Sequence, residues 1–195
     1  VIGGPLPHVM ASKAVAFREA NRPAFKAYAA DIVKNSQALA RFCIEAGMDV
    51  ATGGTDNHLL LVDVRNFDLT GRQSESALRD CGITLNRNSL PFDVNGPWYT
   101  SGIRVGTPAV TTLGMGIDEM KEIARIMHGV LAGTKAQTDP KTGKKSLAKY
   151  DIANNAKDEA LSGVKNLLSR YPVYPELDLD FLLGSFVNNG RTVAV

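Results

Sequence analysis

The sequence predicts an α/β fold: a small, mostly antiparallel sheet covered by helices on one side and preceded by a long helix pair. Three observations carry this. Residues 7–47 repeat apolar side chains at three- and four-residue steps, the period of a helix. Short apolar runs at 58–64 and 102–106 lie between glycine- and asparagine-rich turns, as strands do. Two further amphipathic segments, 117–131 and 152–168, follow the second run.

In the first helical region Val9, Phe17, Phe25, Ile32, Leu39 and Phe42 mark the apolar stripe, and Pro23 interrupts it. Two helices, or one kinked helix, are predicted to meet near Asn21-Arg22-Pro23. Gly47 is a natural stop. Met48-Asp49-Val50 reads as a short strand, 52–57 as a turn-rich loop, and His58–Val64 as a central strand. Thr70 and Gln73 have the spacing of a capping box and open a helix that ends near Cys81-Gly82. Ile83–Asn86 is predicted to be another strand, followed by an irregular segment from Arg87 to Trp98. Residues 133–146 are polar and read as a surface insertion. Tyr171-Pro172-Val173-Tyr174-Pro175 stops the last helix, and the tail from Glu176 to Val195 has no clear pattern. The expected organisation is the end of a larger domain with interdomain helices over 1–47, a small α/β domain over 48–175, and an unplaced tail over 176–195.

The chain has 195 residues, 44% apolar and 22% charged, enough for a core of one or two domains. A net charge of +2 provides no basic surface that argues for nucleic acid. No apolar run approaches the roughly 18 residues of a membrane span. Cys43 and Cys81 have no metal-ligand spacing and are expected to be buried thiols in a reducing compartment, the cytoplasm. The chain opens Val1-Ile2-Gly3-Gly4-Pro5 without Met, and is expected to be a piece of a longer protein.

The densest chemical signal is Thr100-Ser101-Gly102-Ile103-Arg104-Val105-Gly106-Thr107-Pro108. Alternation along a strand puts Ile103 and Val105 on one face and Arg104 on the other. A guanidinium there is either a solvated surface charge or a two-pronged donor for a carboxylate or phosphate. Gly3-Gly4-Pro5 before a helix is either a simple turn or a set of backbone N–H groups for an anion. Asn86-Arg87-Asn88-Ser89 offers amides that cap turns or pair with a heterocycle. His8, His58 and His128 lack metal spacing and read as structural. No nucleophile arrangement is visible.

Together these segments resemble the serine hydroxymethyltransferase family, which uses pyridoxal 5'-phosphate. The resemblance runs through Gly3-Gly4-Pro5-Leu6, Gly53-Gly54-Thr55-Asp56-Asn57-His58-Leu59, Asn86-Arg87-Asn88-Ser89, the Arg104 segment and Arg170-Tyr171-Pro172-Val173-Tyr174. It is nearly continuous from Gly3 to about Ile126 and covers the C-terminal part of the enzyme. The fold it implies is the small domain of an aspartate-aminotransferase-like enzyme. The activity it implies is interconversion of serine plus tetrahydrofolate with glycine plus 5,10-methylenetetrahydrofolate, in a homodimer or homotetramer. Arg104 then corresponds to the grip on the amino-acid carboxylate and Asn88 to a folate contact. Gly3 and Gly4 correspond to a cofactor-phosphate loop shared across the dimer, and Asp56, Asn57 and His58 to a structural loop beneath the active site. The family's Schiff-base lysine lies upstream of Gly3 and has no counterpart here, so this chain alone is expected to be inactive. Departures occur at Ile2, at Trp98-Tyr99 and over Thr112–Gly116. The rival reading is a non-catalytic α/β module for subunit association or anion binding.

Overall fold

A computed structural model describes residues 3–175, 177 and 178. Most of the expected tail, and Ile2, lie outside the described residues. Helix α1 spans Pro7–Ala20 and α2 spans Pro23–Glu45, each with proline in its first turn. Proline fits there because those N–H groups have no helical partner. Arg22 between them is extended, so the expected break at Asn21-Arg22-Pro23 is real. The described part of α1 buries no residue, whereas α2 buries Ile32, Ala38, Leu39, Ala40 and Cys43 on one stripe.

Four antiparallel strands form the main sheet, β1 (Asp49–Val50), β2 (Leu59–Asp63), β3 (Asn86–Asn88) and β4 (Gly102–Gly106), in the order β1-β2-β4-β3. Leu60 and Val62 of β2 and Ile103 and Val105 of β4 are buried and join one continuous core. The apolar residues over that face come from α2, from α3 (Gly71–Asp80) and from α5 (Ile117–Ala132). In α5 the buried residues Met120, Ala124, Met127 and Leu131 recur at helical spacing, and this helix packs most extensively on α2. Each large side chain so buried contributes about 1.5–3 kcal/mol.

Two expectations are corrected. Ile83 and Leu85 pack on the core without entering the sheet; the strand comes later, at Asn86–Asn88. The Ile83 N–H closes α3 by bonding the Leu78 carbonyl, which keeps this stretch from pairing sideways. Residues 133–146, expected as a polar surface insertion, carry strands that the expectation did not include. Strands β5 (Thr134–Thr138) and β6 (Lys145–Ile152) form a separate antiparallel hairpin. Its turn is closed by Asp139, whose carboxylate accepts from the Lys141 and Thr142 amides. Polar composition hid the half-buried alternation along β6. A short helix α4 (Pro108–Thr112) follows β4, and α6 (Asn154–Arg170) ends the described elements. No helix among the described residues is long and apolar enough to cross a membrane.

The hairpin docks through α3's capping box. Thr70 Oγ1 accepts from the Gln73 amide and donates to Leu147 O at 2.8 Å. Gln73 is buried, with Oε1 accepting from the Thr70 amide and Nε2 donating to Ser146 O and Lys149 O at 2.8 and 2.9 Å. Gln73→Leu strands one N–H and two carbonyls. It should cost about 3 kcal/mol of stability, read as a fall in the urea midpoint.

The Arg170-Tyr171 motif closes α6 onto the start of α5. Arg170 pairs with Glu122 at 2.6 Å and Glu119 at 3.5 Å. The bond from the Gly116 amide, aided by the Tyr171 hydroxyl and Arg170, outweighs burial and holds the Glu119 carboxyl below its ordinary 4.5. Its stabilisation is complete above that value and is lost as pH falls through the lowered one. Glu119→Gln should therefore be less stable at pH 7, with the gap to the parent closing only as pH falls below the ordinary carboxyl range in denaturant titrations.

Candidate functional site

The β2–β4 and β3–β4 registers decide what the other face of the sheet carries. Leu61 stands opposite Arg104, and Asn86 opposite Arg104 on the far side. Alternation then puts Leu59, Leu61 and Asp63 of β2, Arg104 of β4, and Asn86 and Asn88 of β3 on one face. These side chains are half-buried or exposed, whereas Leu60, Val62, Ile103 and Val105 on the opposite face are buried. Arg104 is exposed, and its Nε donates to Asn86 Oδ1 at 3.1 Å. Among the described residues, its two terminal nitrogens have no hydrogen-bond or ion-pair partner.

The open face is closed at both ends. At the Gly102 end, the chain after β3 folds back and lays Leu90 against β4. A Cβ on Gly102 would stand 2.7 Å from Leu90 Cδ2 and 2.9 Å from Asn88 O, so only glycine fits. This turn is anchored by Asp93. Its carboxylate accepts from the Leu90, Asn95 and Ser101 amides at 2.8–3.0 Å and from Ser101 Oγ at 2.5 Å. Burial pushes the Asp93 carboxyl up, but the bonds from Ser101, Asn95 and Leu90 hold it below its ordinary value.

At the Gly106 end lies the loop from 51 to 58. Thr52 adopts a left-handed conformation (φ 63°), unusual for a β-branched residue, and Gly53 follows at φ 71°. Asn57 Oδ1 accepts from the Leu59 amide, and Thr55 Oγ1 bonds Leu59 O and the Asn57 amide. His58 contributes its carbonyl, which accepts from the Thr107 amide at 3.0 Å. Buried Thr107 also donates its hydroxyl to Ile32 O, tying this end to α2. Between loop and sheet is an open cleft of about 660 Å³, floored by Leu59 and Leu61 and bordered by Asp56, Asn57 and Pro91.

The structure thus gathers Arg104 and Asn88 on one face and puts Asp56, Asn57 and His58 at its rim. Gly3 and Gly4 are exposed and make no close contact with this face. They precede α1, whose 14 residues extend about 21 Å before α2 begins. Cys43 and Cys81 are buried and free, and burial pushes the Cys43 thiol up to about 12. No group of three or more His, Cys, Asp or Glu side chains placed to hold a metal occurs among the described residues. Two positions were not singled out from sequence, Leu90 and Asp93, and neither was the bond between Asn86 and Arg104. The Asp93-Val94-Asn95-Gly96 run carries an Asx-turn signal, and Asn86-x-Asn88 is the spacing that puts both amides on one face.

This ordered series of segments matches the family model "Serine hydroxymethyltransferase" over residues 1–127. The chain belongs to the serine hydroxymethyltransferase family. Similar serine hydroxymethyltransferases come from Treponema pallidum, 59% identical over 187 residues, and Salinispora tropica, 52% identical over 179. A third, from Mycolicibacterium smegmatis, is 49% identical over 179 residues. These alignments cover 92–95% of this chain and 32–37% of those relatives, so the chain spans about a third of their length.

Asp93→Ala strips the acceptor from three backbone amides of the turn that closes one end of this family's sheet face. Hydrogen exchange at the Leu90, Asn95 and Ser101 amides should speed up about tenfold or more, with the β2 amides unchanged.

Proposed function

We propose that this chain supplies the amino-acid-binding portion of a pyridoxal-phosphate-dependent serine hydroxymethyltransferase. The intact protein then interconverts serine plus tetrahydrofolate with glycine plus 5,10-methylenetetrahydrofolate, as a cytoplasmic homodimer or homotetramer. The observation that carries this reading is Arg104, projecting from the open face with both terminal nitrogens unengaged. A carboxylate accepts two parallel N–H bonds from such a fork, which fixes the plane of the amino acid as well as its position.

The chain's residues fit the cofactor at its phosphate end. Gly3 and Gly4 are exposed and Gly4 turns at φ 94°, a conformation suited to presenting backbone N–H groups to an anion. In this reading Gly3 and Gly4 serve the cofactor site of a second subunit, as the family resemblance implies. When bound, pyridoxal phosphate supplies the electron sink for breaking the serine carbon–carbon bond. Asn88 offers its amide to the folate ring, on the same face as Arg104. Asp56, Asn57 and His58 hold the loop at the rim. The lysine that bonds the cofactor is assigned to the rest of the protein, so the 195-residue chain alone is inactive.

In the full-length enzyme, Arg104→Ala should weaken serine binding about a hundredfold or more. Arg104→Lys should not restore it, because an ammonium cannot form the fork. Calorimetric titration with serine reads both; unchanged serine affinity in Arg104→Ala refutes the clamp.

A further inference from the structure

Asn86 faces Arg104 directly across the β3–β4 ladder, with its Oδ1 3.1 Å from Nε. Its own amide is oriented. Nδ2 donates to Arg87 O at 2.7 Å, which turns Oδ1 toward the arginine. The strand beneath it is pinned from the other face, where Arg87 pairs with Glu75 at 2.6 Å and lies over the Trp98 ring. An acceptor of fixed position is therefore presented to the inner end of the guanidinium.

A guanidinium can take a carboxylate along two edges, one through Nε and a terminal nitrogen, the other through both terminal nitrogens. Asn86 occupies Nε and closes the first edge. We propose that Asn86 is the positioning residue of the clamp, holding Arg104 so that the substrate carboxylate is taken end-on by the two terminal nitrogens. This rests on the reading of Arg104 as the carboxylate grip. The choice of an amide is chemically specific. A neutral acceptor fixes the rotation about the Cδ–Nε bond while leaving the full positive charge for the ligand. A carboxylate at position 86 would pair with the guanidinium and compete with substrate. Arginine carries substantial rotamer entropy, and ordering it before substrate arrives removes that cost from binding.

The test uses the full-length holoenzyme with Asn86→Leu, Asn86→Asp and Arg104→Ala, titrated with serine, glycine and ethanolamine, which is serine without its carboxylate. Asn86→Leu should raise the Kd for serine and glycine about tenfold and leave ethanolamine unchanged. Asn86→Asp should weaken serine binding further than Asn86→Leu. If Asn86→Leu does not fold, Asn86→Ser, too short to reach Nε, carries the same expectations. Serine affinity unchanged in the Asn86 variants but lost in Arg104→Ala overturns the proposal and leaves the clamp standing. Equal losses for serine and ethanolamine also overturn it, because the effect is then not on the carboxylate. Serine affinity unchanged in Arg104→Ala overturns the clamp reading itself.

Discussion

The pairing of β2 with β4 sets both faces of the sheet at once. With Leu61 opposite Arg104, the neighbours Leu60, Val62, Ile103 and Val105 point into the core and the guanidinium points out. A slip of one residue would reverse every side chain of one strand, exposing its apolar pair and driving Arg104 among leucines and methionines. A bare guanidinium there has no acceptable state, since it neither finds a partner nor loses its proton. The register is also locked at both ends. Gly102 admits the Leu90 side chain and Asn88 carbonyl at one, and Thr107 bonds His58 O at the other. Hydrophobic burial and the geometry of the open face are thus a single constraint.

Around this frame, the elements are joined by polar side chains, most of them buried, that bond main-chain groups. Thr107 ties the end of β4 to α2 through Ile32 O. Asn35 of α2 donates to Thr111 Oγ1 within α4 and to Met115 O just beyond it. Asp93 gathers three amides of one turn, and Gln73 reaches two carbonyls of the hairpin. Each bond contributes modestly on its own, but leaving its partner unmatched costs more. Such joints set angles between elements that apolar packing alone leaves loose.

Much of this was legible from residue order because it was local. The helix break at Pro23, the Thr70–Gln73 cap, the helix over 117–131 and the outward Arg104 follow from proline chemistry, capping spacing and alternation. What failed depended on distant partners. Ile83 and Leu85 have strand-like composition, yet the ladder begins at Asn86, where Arg104 offers pairing. The hairpin at 134–152 is mostly polar because it lies on the surface; it is held against α3, with Tyr150 and Ile152 turned to the core. In the site, the motif series was readable, while the hold of Asn86 on Arg104 and the Asp93 anchor required the chain to be folded back on itself.

The way β5–β6 is attached bears on how this family can vary. Thr70 and Gln73 grip the oxygens of Ser146, Leu147 and Lys149, groups that every residue type presents alike. The gripping side needs a particular hydroxyl and amide; the gripped side needs only a backbone of the right curvature. Substitutions along the ribbon, and changes in the length of its Asp139–Lys144 tip, are therefore filtered by shape instead of by chemistry. The exposed positions of the ribbon, unlike Tyr150 and Ile152 on its core side, can therefore be redecorated without loosening that grip.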